Sequence, residues 1–158
     1  VVDNLPAQSV KLILGLKVNS FIGGRTILKN ALDAYADNFG IKSLAIENET
    51  AVKINGRFTL SPFARIYFQQ ASKYFAPYQQ HLANEQFYTS DYDLSRFILY
   101  KTGLGIRFAP FKYLGKNNVL NEWVIRYAYL YRTNGLHAHM VTCVLNLTHQ
   151  TGKKNKNL

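Results

Sequence analysis

The chain has 158 residues, is 47% hydrophobic and 14% aromatic, and carries a formal charge of +10. A single domain with its own core is within reach of that length, so neither disulfide nor metal is required for folding, and the lone Cys143 has no internal partner. A transmembrane helix needs roughly 20 consecutive apolar residues, and every stretch of that length is interrupted by Lys, Arg, Asp, Asn or Gln. The opening VVDNLPAQSV lacks the basic start, apolar run and small-residue site of a signal peptide, so a leader is expected to have been removed or to lie upstream.

From Val10 the pattern has period two, the mark of a strand: Leu12, Leu14, Leu16 and Val18 fall on one side, and Lys11, Ile13, Gly15, Lys17 and Asn19 on the other. Gly23-Gly24 turns it into a weaker second strand through Leu28, Leu32, Ala34 and Ala36, where a helix competes. Asp37 to Gly40 punctuates the chain before a third strand, with Leu44, Ile46, Thr50 and Val52 opposite Glu47, Glu49 and Lys53. Asn55-Gly56 is a strong hairpin signal. In the fourth strand, Leu60 to Gln69, Pro62 cannot donate to a ladder and predicts a bulge or strand entry.

Periodicity fails from about Gln70 to Phe97, which reads as a long loop with a short hairpin of its own. It returns from Ile98 to Phe108, pauses in the turn region KYLGKNNVLN, and resumes with Trp123, Ile125, Tyr127, Tyr129 and Tyr131 opposite Arg126 and Arg132. Thr133-Asn134-Gly135 turns into a last strand ending near Thr148, so residues 1–148 hold the strands and 149–158 form a basic flexible tail.

The fold class is therefore all-β and antiparallel. Runs this long suit the roughly 9–11 residues of a tilted membrane-crossing strand better than the roughly 5–6 of soluble sheets. The apolar faces stay free of Asp, Glu and Arg, and the Trp123 to Tyr131 face has the aromatic character of an interfacial girdle. A transmembrane β-barrel in contact with the lipid bilayer is the leading reading. Its interior is lined by Lys11, Lys17, Glu47, Glu49, Lys53, Arg65, Lys101, Arg107 and Arg126, which makes the basic charge a lining and not a nucleic-acid groove. About seven strands, an odd number, predict the C-terminal strands of a larger barrel, completed upstream or by other outer-membrane or periplasmic subunits. The alternative is a soluble β-barrel or β-sandwich that binds an apolar or aromatic ligand, which needs the Leu12–Leu16 and Ile98–Ile106 faces buried against protein.

Chemistry-bearing motifs are sparse. His137 and His139 share one strand face about 6.6–6.8 Å apart, a spacing found in metal sites but equally in a rim pair, and Cys143 lies about 13 Å beyond His139. Asp91 and Asp93 offer loop carboxylates to Ca²⁺ without a third acidic ligand. No G-x-S-x-G elbow occurs, and the sequons at Asn48 and Asn146 fall in strands. No cofactor or catalytic residue is expected. An outer-membrane enzyme or redox component acting through the Gln70 to Phe97 loop is a third, weaker reading.

The blocks YTSDYDLSRF, TGLGIRFAPF and RYAYLYRTNGLHAHMVTCVLNL, preceded by ADNFGIKSLAIENETAVKINGRFTLSPFARIYFQQASKYFAPY, resemble the C-terminal half of the domain-of-unknown-function family 3570 over Leu28 to Leu147. The resemblance implies an outer-membrane barrel of Gram-negative bacteria, in a family of longer proteins with no established activity, and it brings no catalytic residues. A non-enzymatic pore, structural barrel or platform for partner proteins in the outer membrane is the expectation.

Overall fold

The computed structural model describes residues 3–82, 84–114 and 117–149. The alternating runs are long strands: β1 Lys11–Ile22, β2 Thr26–Asp37, β3 Lys42–Lys53, β4 Phe58–Gln69, β5 Phe97–Phe108, β7 Asn118–Arg132 and β8 His137–His149, with a short β6 at Lys112–Leu114. β2 is strand throughout and not helix. Twelve residues at about 3.3 Å each span about 40 Å, or about 30 Å along an axis tilted by about 40°.

All pairings are antiparallel in one sheet, ordered β1-β2-β3-β4-β5-β7-β8. β8 covers one edge of β7, so β6, paired to Asn118–Leu120, continues the edge that β5 occupies; the expected turn region at KYLGKNNVLN is thus partly strand, with residues 115 and 116 outside the described ones. The sheet's bulge lies between Leu120 and Glu122, not at Pro62. Pro62 sits inside the central strand β4, where pairing to β3 lapses between Glu49–Phe63 and Val52–Leu60 and resumes in the same register. The missing N–H interrupts the ladder without shifting it.

Two turns form by means other than those the sequence suggests. The Asn55-Gly56 hairpin has no positive φ at either residue. Instead the Asn55 side-chain oxygen accepts the N–H groups of Arg57 (2.8 Å) and Phe58 (2.9 Å), a side-chain mimic of a backbone turn. At the Asp37 turn, the carboxylate accepts the N–H groups of Phe39 and Ile41, and Gly40 takes a φ of +86°.

The long loop is folded, but not as a hairpin. Phe75 makes a parallel bridge to Thr89, Tyr88 pairs with Asn4 of the N-terminal segment, and a 3-10 turn spans Tyr92–Leu94. Ser72 Oγ donates to the Phe39 carbonyl, Gln69 Nε2 to those of Asp93 and Ser95, and Arg132 grips the Asp93 carboxylate. The loop therefore ties together the β2–β3 and β7–β8 turns at its own end of the sheet. The opposite end carries the tight β1–β2 and β3–β4 connections and the last residues of β8.

Burial runs opposite to that of a water-soluble sheet. The face bearing Lys and Arg holds the buried residues Ala45 (2% exposed), Ala51, Phe63 (6%), Phe97 and Ala128. The other face leaves Leu14 61%, Ile46 50% and Val141 72% exposed, and Leu12, Leu16, Leu104 and Ile106 are exposed as well. Among the described residues the Leu12–Leu16 and Ile98–Ile106 faces are exposed or half-buried, not buried against protein. The sheet curls toward its polar face: one cavity of about 450 Å³ touches both Phe21 of β1 and Val124 of β7, five strand spacings or about 24 Å apart if the sheet were flat. The all-β antiparallel sheet is as expected, but it is curled and open, and barrel closure is not seen: among the described residues β1 and β8 each pair on one side only. Six antiparallel steps separate them, so they run in the same direction. The tail at 150–158 lies outside the described residues.

Candidate functional site

Alternation fixes which side chains share the concave face, and the register aligns them. Glu47 pairs with Ala31 and Arg65, Glu49 with Lys29 and Phe63, Arg65 with Lys101, and Gly105 with Arg126. All nine charged residues singled out in the sequence, Lys11, Lys17, Glu47, Glu49, Lys53, Arg65, Lys101, Arg107 and Arg126, fall on this one face.

Five of them gather, with Lys29, Asp33 and Glu122, into three ionic groups. Arg65 donates to Glu47 (2.9 Å) and approaches Asp33 at 3.9 Å. Glu49 receives Lys29 (2.8 Å) and Arg126 (2.9 Å), although β3 and β7 are separated by two strands. Arg107 pairs with Glu122, which Asn146 also hydrogen-bonds. Neither Glu47 nor Glu49 uses the neighbouring Lys53, the partner that sequence proximity suggests. The long Arg and Lys arms reach over adjacent strands toward carboxylates where the face curves together. No salt bridge forms at Lys11, Lys17, Lys53 or Lys101 among the described residues.

At the centre, the Phe63 ring lies over Gly103. A Cβ on Gly103 would fall 2.5 Å from Phe63 Cζ and 2.2 Å from the Tyr127 carbonyl oxygen. The Arg126 guanidinium sits 4.4 Å from the Phe63 centroid and the Lys101 ammonium 6.0 Å. Lys29, Asp33, Glu122, Phe63 and Gly103 complete the arrangement, and the sequence reading did not single them out as site residues. Their faces were legible from the alternation, but the cross-strand register that joins them was not.

The other candidates lie elsewhere. Asp91 caps the 3-10 turn by accepting the Asp93 N–H at 2.8 Å, while Asp93 is held by Arg132, so each carboxylate already has a structural partner. His137 and His139 lie on the outer, apolar face, where His139 Nδ1 hydrogen-bonds the Tyr127 hydroxyl at 2.8 Å and its ring packs against Tyr129. Among the described residues no group of three or more His, Cys, Asp or Glu is placed to hold a metal ion. Cys143, on the same outer face, accepts the Trp123 indole N–H at 3.0 Å. That face also carries a polar cluster, where Asn48 donates to Asn30 (2.7 Å) and receives Thr50 Oγ1 (3.1 Å).

A family model described as protein of unknown function (DUF3570) matches residues 2–133. The match starts further upstream than the resemblance read from the sequence and stops in the β7–β8 turn, leaving β8 outside it. Comparison with curated proteins and comparison with solved structures give no match.

Proposed function

The chain belongs to the DUF3570 family of proteins of unknown function, and on that premise we propose that it is a section of a non-enzymatic, pore-forming β-barrel in the outer membrane of a Gram-negative bacterium. The observation that carries the reading is the inverted sheet, with ion pairs on the concave side and Leu, Ile, Val, Phe and Tyr on the convex side. Strands of twelve to fifteen residues give a convex face on the order of 1,000 Å². A soluble monomer rarely exposes an apolar patch above roughly 300–600 Å². Lipid is the solvent in which that face is stable, and the charged face then lines an aqueous interior.

Aromatic side chains toward both ends of the convex face agree with interfacial girdles. Phe58 stacks on Phe108 at 4.5 Å beside Trp123 at the hairpin end, and Tyr100 stacks on Tyr131 toward the loop end. The Asn30–Asn48–Thr50 trio pairs polar side chains with one another, which lowers the cost of their facing lipid. Since β1 and β8 run in the same direction, antiparallel closure takes an odd number of further strands. These come from the same polypeptide or from other outer-membrane or periplasmic subunits, and the complete barrel has an even strand number. The folded β4–β5 loop partners the outside, with the hairpin end toward the periplasm.

The test is solvent choice during folding. Diluted from urea, the full chain acquires its β circular dichroism in lipid vesicles or detergent micelles and precipitates in buffer alone. A monodisperse, folded monomer in buffer without detergent would overturn the proposal.

A further inference from the structure

The concave face is not uniform along its length. At the loop end, a cavity of about 330 Å³ is lined by Asp33 and Arg65 with Tyr35 and Tyr67, so its charge is balanced. The cavity of about 450 Å³ at the hairpin end has Arg25, Lys29, Lys53, Arg107 and Arg126 in its wall against the single carboxylate of Glu49. Adding Glu122, the partner of Arg107, still leaves a surplus of three positive charges. Arg25 and Lys53 form no salt bridge among the described residues.

Cations gathered in a cleft with low-dielectric walls focus a positive potential that hydration alone relieves poorly. The same wall supplies the hydroxyls of Thr59 and Ser61 and, across the cavity from one another, the apolar side chains of Phe21 and Val124. Its volume falls in the range of roughly 300–1,000 Å³ that encloses small ligands. Arginine and lysine recognise phosphate by charge-assisted hydrogen bonds, and a dianion removes most of the surplus charge.

We propose that this hairpin-end cavity is a binding site for a small organic phosphate, with Arg25 and Lys53 as the free cations that take the phosphate and Phe21 and Val124 packing its apolar group. The site needs only the curled sheet, so it stands whether lipid or protein meets the convex face.

The experiment titrates the full chain in nonionic detergent micelles with phenyl phosphate, followed by calorimetry and by the ³¹P resonance of the ligand. One phenyl phosphate binds per chain, benzyl alcohol shows no saturable binding, and Arg25→Gln/Lys53→Gln weakens the phosphate about tenfold. The Lys11→Gln/Lys42→Gln pair, at the loop end and outside the cavity wall, leaves the affinity unchanged, and circular dichroism verifies the fold of both variants. Lys53→Gln alone provides a milder version should the double variant fail to fold, with a few-fold loss expected. Absence of saturable binding, equal binding of benzyl alcohol, full affinity in a folded Arg25→Gln/Lys53→Gln or Lys53→Gln variant, or equal loss in the remote pair would each overturn the assignment.

Discussion

The two faces of the sheet have the same strands, backbone and lengths, yet they solve opposite problems. The convex face is apolar and exposed from Leu12 in β1 to Leu145 in β8. The concave face is charged, but its cations and carboxylates meet across as many as three strand spacings, and the sheet curls over Phe63 and the small residues Ala45, Ala51 and Ala128. Period-two alternation produces both at once, and the solvent decides which side faces outward. In water the apolar side would be inside. Here the carboxylates of the concave face are paired with Arg and Lys, and the apolar side stays exposed.

Substitutions can break that comparison, and the largest effect should come from charge on the convex face. Ile46→Arg, near mid-strand, is expected to cost about 2–4 kcal/mol of folding free energy in vesicles. Ala31→Lys, on the concave face opposite Glu47, should change it by no more than about 0.5 kcal/mol. Urea unfolding from vesicles of the two variants checks the difference, and equal costs would dissolve the distinction between the faces.

Next comes the concave centre. Gly103→Ala forces a methyl against the Tyr127 carbonyl and the Phe63 ring, with an expected loss of about 1–3 kcal/mol by the same titration. Glu49→Gln removes the anion shared by Lys29 and Arg126. Because Glu49 is sheltered while Lys29 is half exposed, the expected cost is intermediate between surface and buried pairs, about 1–2 kcal/mol. A double-mutant cycle with Arg126→Gln should show coupling between β3 and β7 that a flat, water-exposed sheet would lack.

The smallest effect concerns the polar notch on the convex face. Asn48→Leu leaves the Asn30 amide without its partner and should cost about 0.6 kcal/mol in vesicles, recovered in Asn30→Leu/Asn48→Leu. If the double variant is worse than either single one, the Asn pair contacts protein and not lipid.

How far the sequence reached follows from the range of the interactions. Strands and faces are local: the alternation from Lys11 to Asn19 or from Trp123 to Tyr131 depends only on neighbours two residues apart, and all nine charged candidates fall together accordingly. The pairing of Glu49 with Arg126 depends on register through β4 and β5 and on curvature, which no local pattern encodes. Pro62 misled because a proline in a central strand can interrupt one ladder without a bulge. Asn55-Gly56 located the hairpin but not its mechanism, since the Asn side chain replaced a positive φ. The Gln70 to Phe97 segment looked irregular because its order comes from partners far away in sequence, among them Asn4, Phe39 and Arg132.

The most direct measurement is the solvent each face meets. With Cys143 replaced by serine, single spin labels at Leu16, Ile46 and Ile125 on the convex face and at Ala31, Ser61 and Thr142 on the concave face can be read in lipid vesicles for collision with oxygen and with a water-soluble nickel chelate. The inverted sheet predicts that convex labels are reached by oxygen and shielded from nickel, and that concave labels show the reverse. Convex labels immobilised and shielded from both would mean that protein, not lipid, covers that face, and would contradict the account.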